Sequence, residues 1–132
     1  MNGILLDTSA YSEMARGNKD VLDAVQTAES ICVNPIILGE LLSGFAKGNQ
    51  ESRNLKLLER FLDSPRCVVL PIIKESAQRY AHIHTALRKA GSPIPTNDLW
   101  IAATAMEHGL TVVTVDAHFI QIPQILCRLC VR

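Results

Sequence analysis

The sequence lacks long apolar runs and lacks an excess of either charge. No apolar stretch reaches the roughly 18 residues that a membrane-spanning helix needs, so we expect no membrane segment. Its 13 Lys and Arg are balanced by 13 Asp and Glu, whereas proteins that bind nucleic acid by charge alone usually show a basic excess. The first residues do not form a secretion signal, which makes the cytoplasm the expected compartment. Any contact with nucleic acid must therefore depend on local basic patches and on bound metal.

Cysteine, glycine and proline are also scarce. The 7 glycines and 6 prolines are scattered, so long disordered segments are not expected. Cys127 and Cys130 form a C-x-x-C pair, but no second pair and no histidine with zinc-like spacing accompanies them. A thioredoxin-type pair would lie at the start of a helix that follows a strand. We therefore interpret both, together with Cys32 and Cys67, as structural thiols.

The remaining composition suits an ordinary globular protein. The 132 residues, 48% of them hydrophobic, fit one domain over residues 1–132 with a substantial core. The predicted strands cover residues 4–7, 30–34, 67–70, 111–115 and, as a possible last strand, 126–131. The predicted helices cover residues 8–16, 19–29, 35–46, 51–62, 74–89 and 98–108. Such alternation is typical of α/β folds, in which helices cover a largely parallel sheet.

Two of the predicted strands end in an acid. Asp7 follows the apolar run 3–6, and Asp116 follows the apolar run 110–115. Because ligands of open α/β sheets bind just outside the carboxyl ends of the strands, both carboxylates are candidate metal ligands. Capping of the next helix is the simpler role for either residue, since Asp is favoured at that position. Two acids at one sheet edge would nevertheless repel each other unless a cation neutralised them.

A third acid, Glu40, lies on the helix predicted for residues 35–46 and points away from the centre of its apolar face. Its neighbours Gly39, Ser43 and Gly44 have almost no side chain. A solvated surface is the ordinary interpretation, but such a surface usually carries several long charged side chains. Each glycine inside a helix costs roughly 1 kcal/mol relative to alanine. Close approach of a ligand or of another element would explain them, so Glu40 is a candidate functional residue.

The fourth acid, Asp98, begins a helix that is apolar nearly all round, which predicts a buried helix. The helix dipole alone, worth about 0.3–1 kcal/mol, would explain an acid at this position. However, the residues one turn further on, Ala102 and Ala105, are again small. Asn97 can cap the helix or orient a metal-bound water. The four acids together predict a hard, oxygen-liganded cation such as Mg²⁺ and metal-assisted chemistry on phosphate.

The segments that contain these acids resemble the motifs of one protein family. Residues 5–9, 38–41, 97–105 and 114–119 occur in the order and with the spacing of the four motif regions of PIN domains. The resemblance covers almost the whole chain. The short single-domain form most resembles the VapC-type toxins of bacterial toxin–antitoxin pairs.

This resemblance implies a three-layer α/β/α sandwich with a central, mainly parallel sheet. It also implies an endoribonuclease that depends on Mg²⁺ or Mn²⁺ and hydrolyses RNA phosphodiester bonds. The residues that match the family's catalytic and metal-binding acids are Asp7, Glu40, Asp98 and Asp116. Thr8 and Thr114 match supporting hydroxyl positions, and Asn97 is a further candidate for support. The implied partners are an RNA substrate, a cognate antitoxin protein and a second copy of the chain in a homodimer.

Two other functions agree with the same sequence. One is an RNA-processing nuclease without a toxin role, and the other is a non-catalytic RNA- or protein-binding module with the PIN fold. The presence of all four acids favours a nuclease. A phosphoaspartate phosphatase would need an acid at Ser9, and a receiver domain would need a lysine after Val115, so neither class fits.

Other polar residues are assigned lesser roles. His118 is predicted to lie at the rim of the site or to pack against it, rather than to act as a general base. The remaining histidines, His82, His84 and His108, are interpreted as structural. The candidate RNA contacts are Arg16, Lys19, Arg53, Lys56 and Arg60, although a solvated surface is the ordinary interpretation of each.

Overall fold

The computed structural model describes residues 3–132, which form a five-stranded sheet, six α-helices and one 3-10 helix. The strands are β1 Gly3–Leu6, β2 Ser30–Val33, β3 Cys67–Val69, β4 Thr111–Thr114 and β5 Leu126–Leu129. The α-helices are α1 Thr8–Ala15, α2 Lys19–Thr27, α3 Pro35–Lys47, α4 Glu51–Leu62, α5 Lys74–Ala90 and α6 Thr96–His108. The 3-10 helix is Ala117–Gln121. Met1 and Asn2, which the predicted domain 1–132 includes, lie outside the described residues.

The sheet is parallel throughout, and its strand order is β3-β2-β1-β4-β5. The chain moves outward from β1 to β3 and then returns to the opposite side of β1 to form β4. Because such crossovers are right-handed, α1 to α4 cover one face of the sheet, and α5 and α6 cover the other. The predicted α/β/α sandwich is thereby confirmed. The direction reverses between β1 and β4, and ligands of open α/β sheets bind at the carboxyl ends beside such a reversal.

The register of the two central strands sets the position of Asp7. Leu6 of β1 is paired with Val113 of β4, and the Asp7 amide continues the ladder by donating to the Val113 carbonyl at 3.2 Å. The next residue on β4 is Thr114, which therefore lies beside Asp7. Val113 is fully buried, as is Leu6. This burial of apolar side chains holds the register, because a shift by one residue would turn each strand's side chains to the opposite face of the sheet.

The predicted elements are confirmed to within two residues at each end, and two differences bear on the site. Helix α6 begins at Thr96 rather than at Asp98, so Asp98 lies in the first turn of the helix. The 3-10 helix was not predicted, because five residues are too few to show a helical period. The side chain of Phe119, which is fully buried, anchors it against the core.

Two further expectations concern membrane-spanning segments and the four cysteines. No helix within residues 3–132 is long and apolar enough to cross a membrane. All four cysteines are free thiols; Cys32 and Cys130 are buried, and Cys67 and Cys127 are partly buried. Their structural role stays a prediction.

A buried asparagine links the two layers of helices at the edge that carries the acids. Asn34 caps α3 by accepting a hydrogen bond from the Ile37 amide at 2.9 Å. Its Nδ2 donates to Thr104 Oγ1 in the middle of α6, also at 2.9 Å. Asn34 and Thr104 are both completely buried. The start of α3, and with it the position of Glu40, is therefore tied to α6.

We predict that Asn34→Ala lowers the free energy of unfolding by about 2–3 kcal/mol, because it removes a helix cap and the bond to Thr104. Urea denaturation measures this change. Asn18→Ala, which removes the cap of α2 together with more exposed hydrogen bonds to Glu13 and the Val131 carbonyl, is the control and should cost about 1 kcal/mol. Equal losses in the two variants would contradict the proposed link between the layers.

Candidate metal centre

Asp7 lies almost completely buried at the end of β1, with 4% of its surface exposed. Its Oδ1 accepts hydrogen bonds from the Ala10 amide and from Ser9 Oγ, both at 2.8 Å. Its Oδ2 accepts a hydrogen bond from Thr114 Oγ1 at 2.7 Å. Asp7 thus caps α1, which confirms the simpler interpretation, and it also faces the centre of the sheet edge.

Burial raises the pKa of Asp7 to about 6. The hydrogen bonds from Thr114, Ala10 and Ser9 act in the opposite direction and favour the charged form. The charge of Asp98 raises the pKa further. Asp7 is therefore a carboxylate whose ionised form lacks a compensating charge, and a cation at this edge would stabilise that form.

Glu40 joins three helices at the same edge. Its Oε1 accepts a hydrogen bond from Thr8 Oγ1 of α1 at 2.6 Å, and its Oε2 accepts one from Asn97 Nδ2 of α6 at 3.2 Å. Thr8 and Asn97 thus contact the predicted site residue Glu40, and Thr114 contacts the predicted site residue Asp7. The expected close approach of another element to the α3 glycines is wrong, since a Cβ at Gly39 or Gly44 would meet no described atom within 4 Å.

Asp98 and Asp116 meet at the side chain of His118. The Nδ1 of His118 lies 2.7 Å from Asp98 Oδ2 and 3.2 Å from Asp116 Oδ1. Asp116 also caps the 3-10 helix by accepting a hydrogen bond from the His118 amide at 3.0 Å. Donor atoms of these three residues all lie within 4.8 Å of one another, a spacing that suits a bound metal ion.

The acids act on one another electrostatically. Burial raises the pKa of Asp98, the hydrogen bond from His118 opposes this, and the charges of Asp116 and Glu40 raise it again. Within residues 3–132, no Lys or Arg forms an ion pair with any of the four acids. The pKa of His118 is also raised, chiefly by its hydrogen bond to Asp98. Oxygen donors with so little compensating charge fit a divalent cation.

The sequence indicated some of the contact residues and missed others. Ser9 was not predicted to take part, yet its Oγ donates to Asp7 and accepts a hydrogen bond from the Val115 amide at 3.2 Å. Asn34 was also missed, because a buried polar tie between helices has no sequence period. His118 was expected at the rim, and its position two residues after Asp116 was the available signal of its contact with the acids.

Some of the candidate RNA contacts lie beside this edge. A cleft of about 440 Å³ is lined by Thr8 and Glu40 and also by Arg16 and Arg53. A second cleft begins at Arg53 and continues along α4, where the residues that line it include Lys56 and Arg60. Lys19 is not among the residues that line either cleft.

Comparison with known proteins identifies relatives over nearly the whole chain. The sequence profile of the PIN domain family matches residues 4–125. Ribonuclease VapC1 of Rickettsia felis is 32% identical over 116 residues, which cover 86% of this chain and 85% of that protein.

Solved structures also resemble this chain over nearly its whole length. The DNA-bound VapBC complex of Salmonella typhimurium contains a chain that superimposes with a TM-score of 0.84 at 28% identity, covering 97% of this chain and 98% of that one. VapBC-5 of Mycobacterium tuberculosis, a member of the VapBC family of toxin–antitoxin systems, matches with a TM-score of 0.75 at 25% identity, covering 97% of each chain.

We predict that Asp7→Asn stabilises the metal-free protein at pH 8. The pKa of Asp7 is about 6 in the folded protein against 3.8 ordinarily, so folding carries a cost when the group is ionised in both states. That cost amounts to up to about 3 kcal/mol above pH 6 and disappears as the pH falls towards 4. Urea denaturation in EDTA at pH 8 and at pH 4.5 measures it.

Asp63→Asn, which changes an exposed carboxylate at the end of α4, is the control and should show a smaller difference between the two pH values. A wild type that is more stable than Asp7→Asn at pH 8 in EDTA would contradict the pKa assigned to Asp7.

Proposed function

The chain belongs to the PIN domain family, and we propose that it is a metal-dependent endoribonuclease that serves as the toxin of a VapBC-type pair. Several of its relatives over most of the chain are ribonucleases of the VapC kind. The alternative of a non-catalytic module receives no support, because all four acids of the family motifs are present and converge on one edge of the sheet.

The observation that carries the proposal is the electrostatic coupling of four carboxylates, none of which forms an ion pair with Lys or Arg within residues 3–132. Asp98 is coupled electrostatically to Asp7, Glu40 and Asp116. Mutual repulsion of this kind destabilises the ionised group, and a protein that only needed to fold would gain by replacing some of the acids. The same arrangement is favourable once a divalent cation is bound, which supports catalysis rather than packing as its purpose.

Hydrolysis of the RNA backbone joins a water oxygen to phosphorus and breaks a P–O bond, and the departing oxygen takes a proton. Bound Mg²⁺ or Mn²⁺ would supply an activated water and would neutralise charge on the phosphate in the transition state. In our assignment, Asp7, Asp98 and Asp116 hold the cation.

The remaining polar residues position these groups. Thr114 and Ser9 fix the Asp7 carboxylate through their hydroxyls. Glu40, held by Thr8 and Asn97, orients water at the side of the site that opens to the cleft. Hydrogen bonds of this kind keep ligands in one orientation, and their loss typically reduces metal affinity or activity.

The basic residues beside the site bind the RNA backbone in this proposal. Arg53 lines both the cleft next to Glu40 and the cleft that continues along α4 past Lys56 and Arg60. Positive side chains attract phosphate without regard to sequence and set the register of the strand. In a chain of zero net charge, this local stripe supplies the attraction that the overall composition does not.

The proposed partners follow from the relatives. The Salmonella and Mycobacterium structures are VapBC assemblies, which supports a cognate antitoxin for this chain. A homodimer stays a prediction, as does the single domain 1–132.

We predict that the purified protein cleaves a mixed RNA pool with Mg²⁺ or Mn²⁺ and not with EDTA. Asp7→Asn should reduce the rate by about 100-fold or more, as expected for a group that stabilises charge in the transition state. Gel or sequencing analysis of the products measures cleavage, and Asp63→Asn is the surface control. Full activity of Asp7→Asn would refute the site, and cleavage that persists in EDTA would refute the metal dependence.

We predict that expression of the wild type arrests the growth of a bacterial host, whereas Asp7→Asn does not. Co-expression of a cognate antitoxin should restore growth, because a toxin requires an antitoxin. Colony counts after induction measure the effect. A wild type that cleaves RNA in vitro but leaves growth unchanged would support the RNA-processing alternative.

A further inference from the structure

His118 is placed by the structure at the point where two acids meet. The fully buried ring of Phe119 anchors the 3-10 helix against the core, and Asp116 caps the same helix through the His118 amide. These two contacts leave the backbone of His118 little freedom. Its side chain, 42% exposed, lies between Asp98 and Asp116 and can adjust its position without disturbing the core.

The distances around His118 suit coordination as well as hydrogen bonding. Adjacent ligands of an octahedral cation with bonds of about 2.0–2.2 Å lie about 3.0 Å apart, and opposite ligands lie about 4.2 Å apart. The Nδ1 atom is 2.7 Å from Asp98 Oδ2 and 3.2 Å from Asp116 Oδ1. Donor atoms of the three residues fall within 4.8 Å of one another.

We propose that His118 is a metal ligand, binding through Nδ1 beside Asp98 and Asp116, and that it makes the site prefer Mn²⁺ to Mg²⁺. This inference rests on the proposed function, because it assigns a further ligand to the same metal site. A neutral imidazole nitrogen between two carboxylates gives a mixed nitrogen and oxygen site rather than one made of oxygen alone.

The metal preference follows from the donor atoms. Mg²⁺ is a hard cation that binds oxygen and keeps several waters. Imidazole nitrogen is a ligand for first-row transition metals, whose affinity for mixed sites is governed by donor type and geometry. A nitrogen donor in place of an oxygen donor therefore lowers the affinity of the site for Mg²⁺ more than it lowers the affinity for Mn²⁺.

The competing explanation keeps His118 outside the coordination sphere. In that arrangement its ring only donates a hydrogen bond to Asp98 and orients that carboxylate, as groups around metal ligands commonly do. The two arrangements differ in one observable, which is the presence or absence of a metal–nitrogen bond. Activity alone does not distinguish them, because removal of His118 would impair either one.

The test uses Mn²⁺ as a spectroscopic probe of the purified full-length protein. Pulsed electron paramagnetic resonance of bound Mn²⁺ detects coupling to a directly bonded imidazole nitrogen, and calorimetric titration gives the affinities for Mn²⁺ and Mg²⁺. The wild type is compared with His118→Asn, and His82→Asn on the exposed surface of α5 is the matched control. Circular dichroism shows that each variant is folded.

We expect nitrogen coupling in the wild type and in His82→Asn, and its loss in His118→Asn. The affinity for Mn²⁺ should fall by about tenfold or more in His118→Asn, with a smaller fall for Mg²⁺. Bound Mn²⁺ without nitrogen coupling in the wild type would overturn this inference and leave the proposed nuclease site intact. Failure of the folded wild type to bind either cation would overturn both.

Discussion

The pairing of β1 with β4 at the centre of the sheet is the interaction on which the rest of the structure depends. Neighbours on both sides bury these strands, so their register is held by apolar side chains that can face only the core. The same register brings the Asp7 carboxylate beside Thr114 and places Asp116 at the same edge. Because the strand order reverses at this pair, the neighbouring loops diverge and leave room for a ligand.

The fold was largely predictable because its elements have strong local signals. Apolar runs such as residues 4–6 and 112–113 are too short for helices and too apolar for loops, and alternation with helices implies parallel strands. Helices α5 and α6 end at Gly91 and Gly109. Both glycines have the positive φ that a left-handed cap requires. The 3-10 helix had no comparable signal, since the burial of Phe119 depends on tertiary contacts.

The candidate site was predictable at the level of residue types rather than contacts. An acid at the end of a strand is visible in the sequence, and so is an acid among small residues on a helix. The role of Asn34 was not visible, because it depends on Thr104, which is 70 residues away. Of the two explanations for Gly39 and Gly44, close approach of another element is wrong and close approach of a ligand stays a prediction, since glycine indicates the absence of a side chain but not what occupies the space.

The residues of the site are far apart in the sequence, and this has a consequence for synthesis. The hydrogen bond between Thr114 and Asp7 spans 107 positions, and Asp116 follows Thr114 by two residues. An incomplete chain that stops before β4 has no partner for β1 at the centre of the sheet and lacks one of the four acids. The proposed site therefore cannot assemble during synthesis until β4 and Asp116 have been made, and a fragment that stops before them lacks the site.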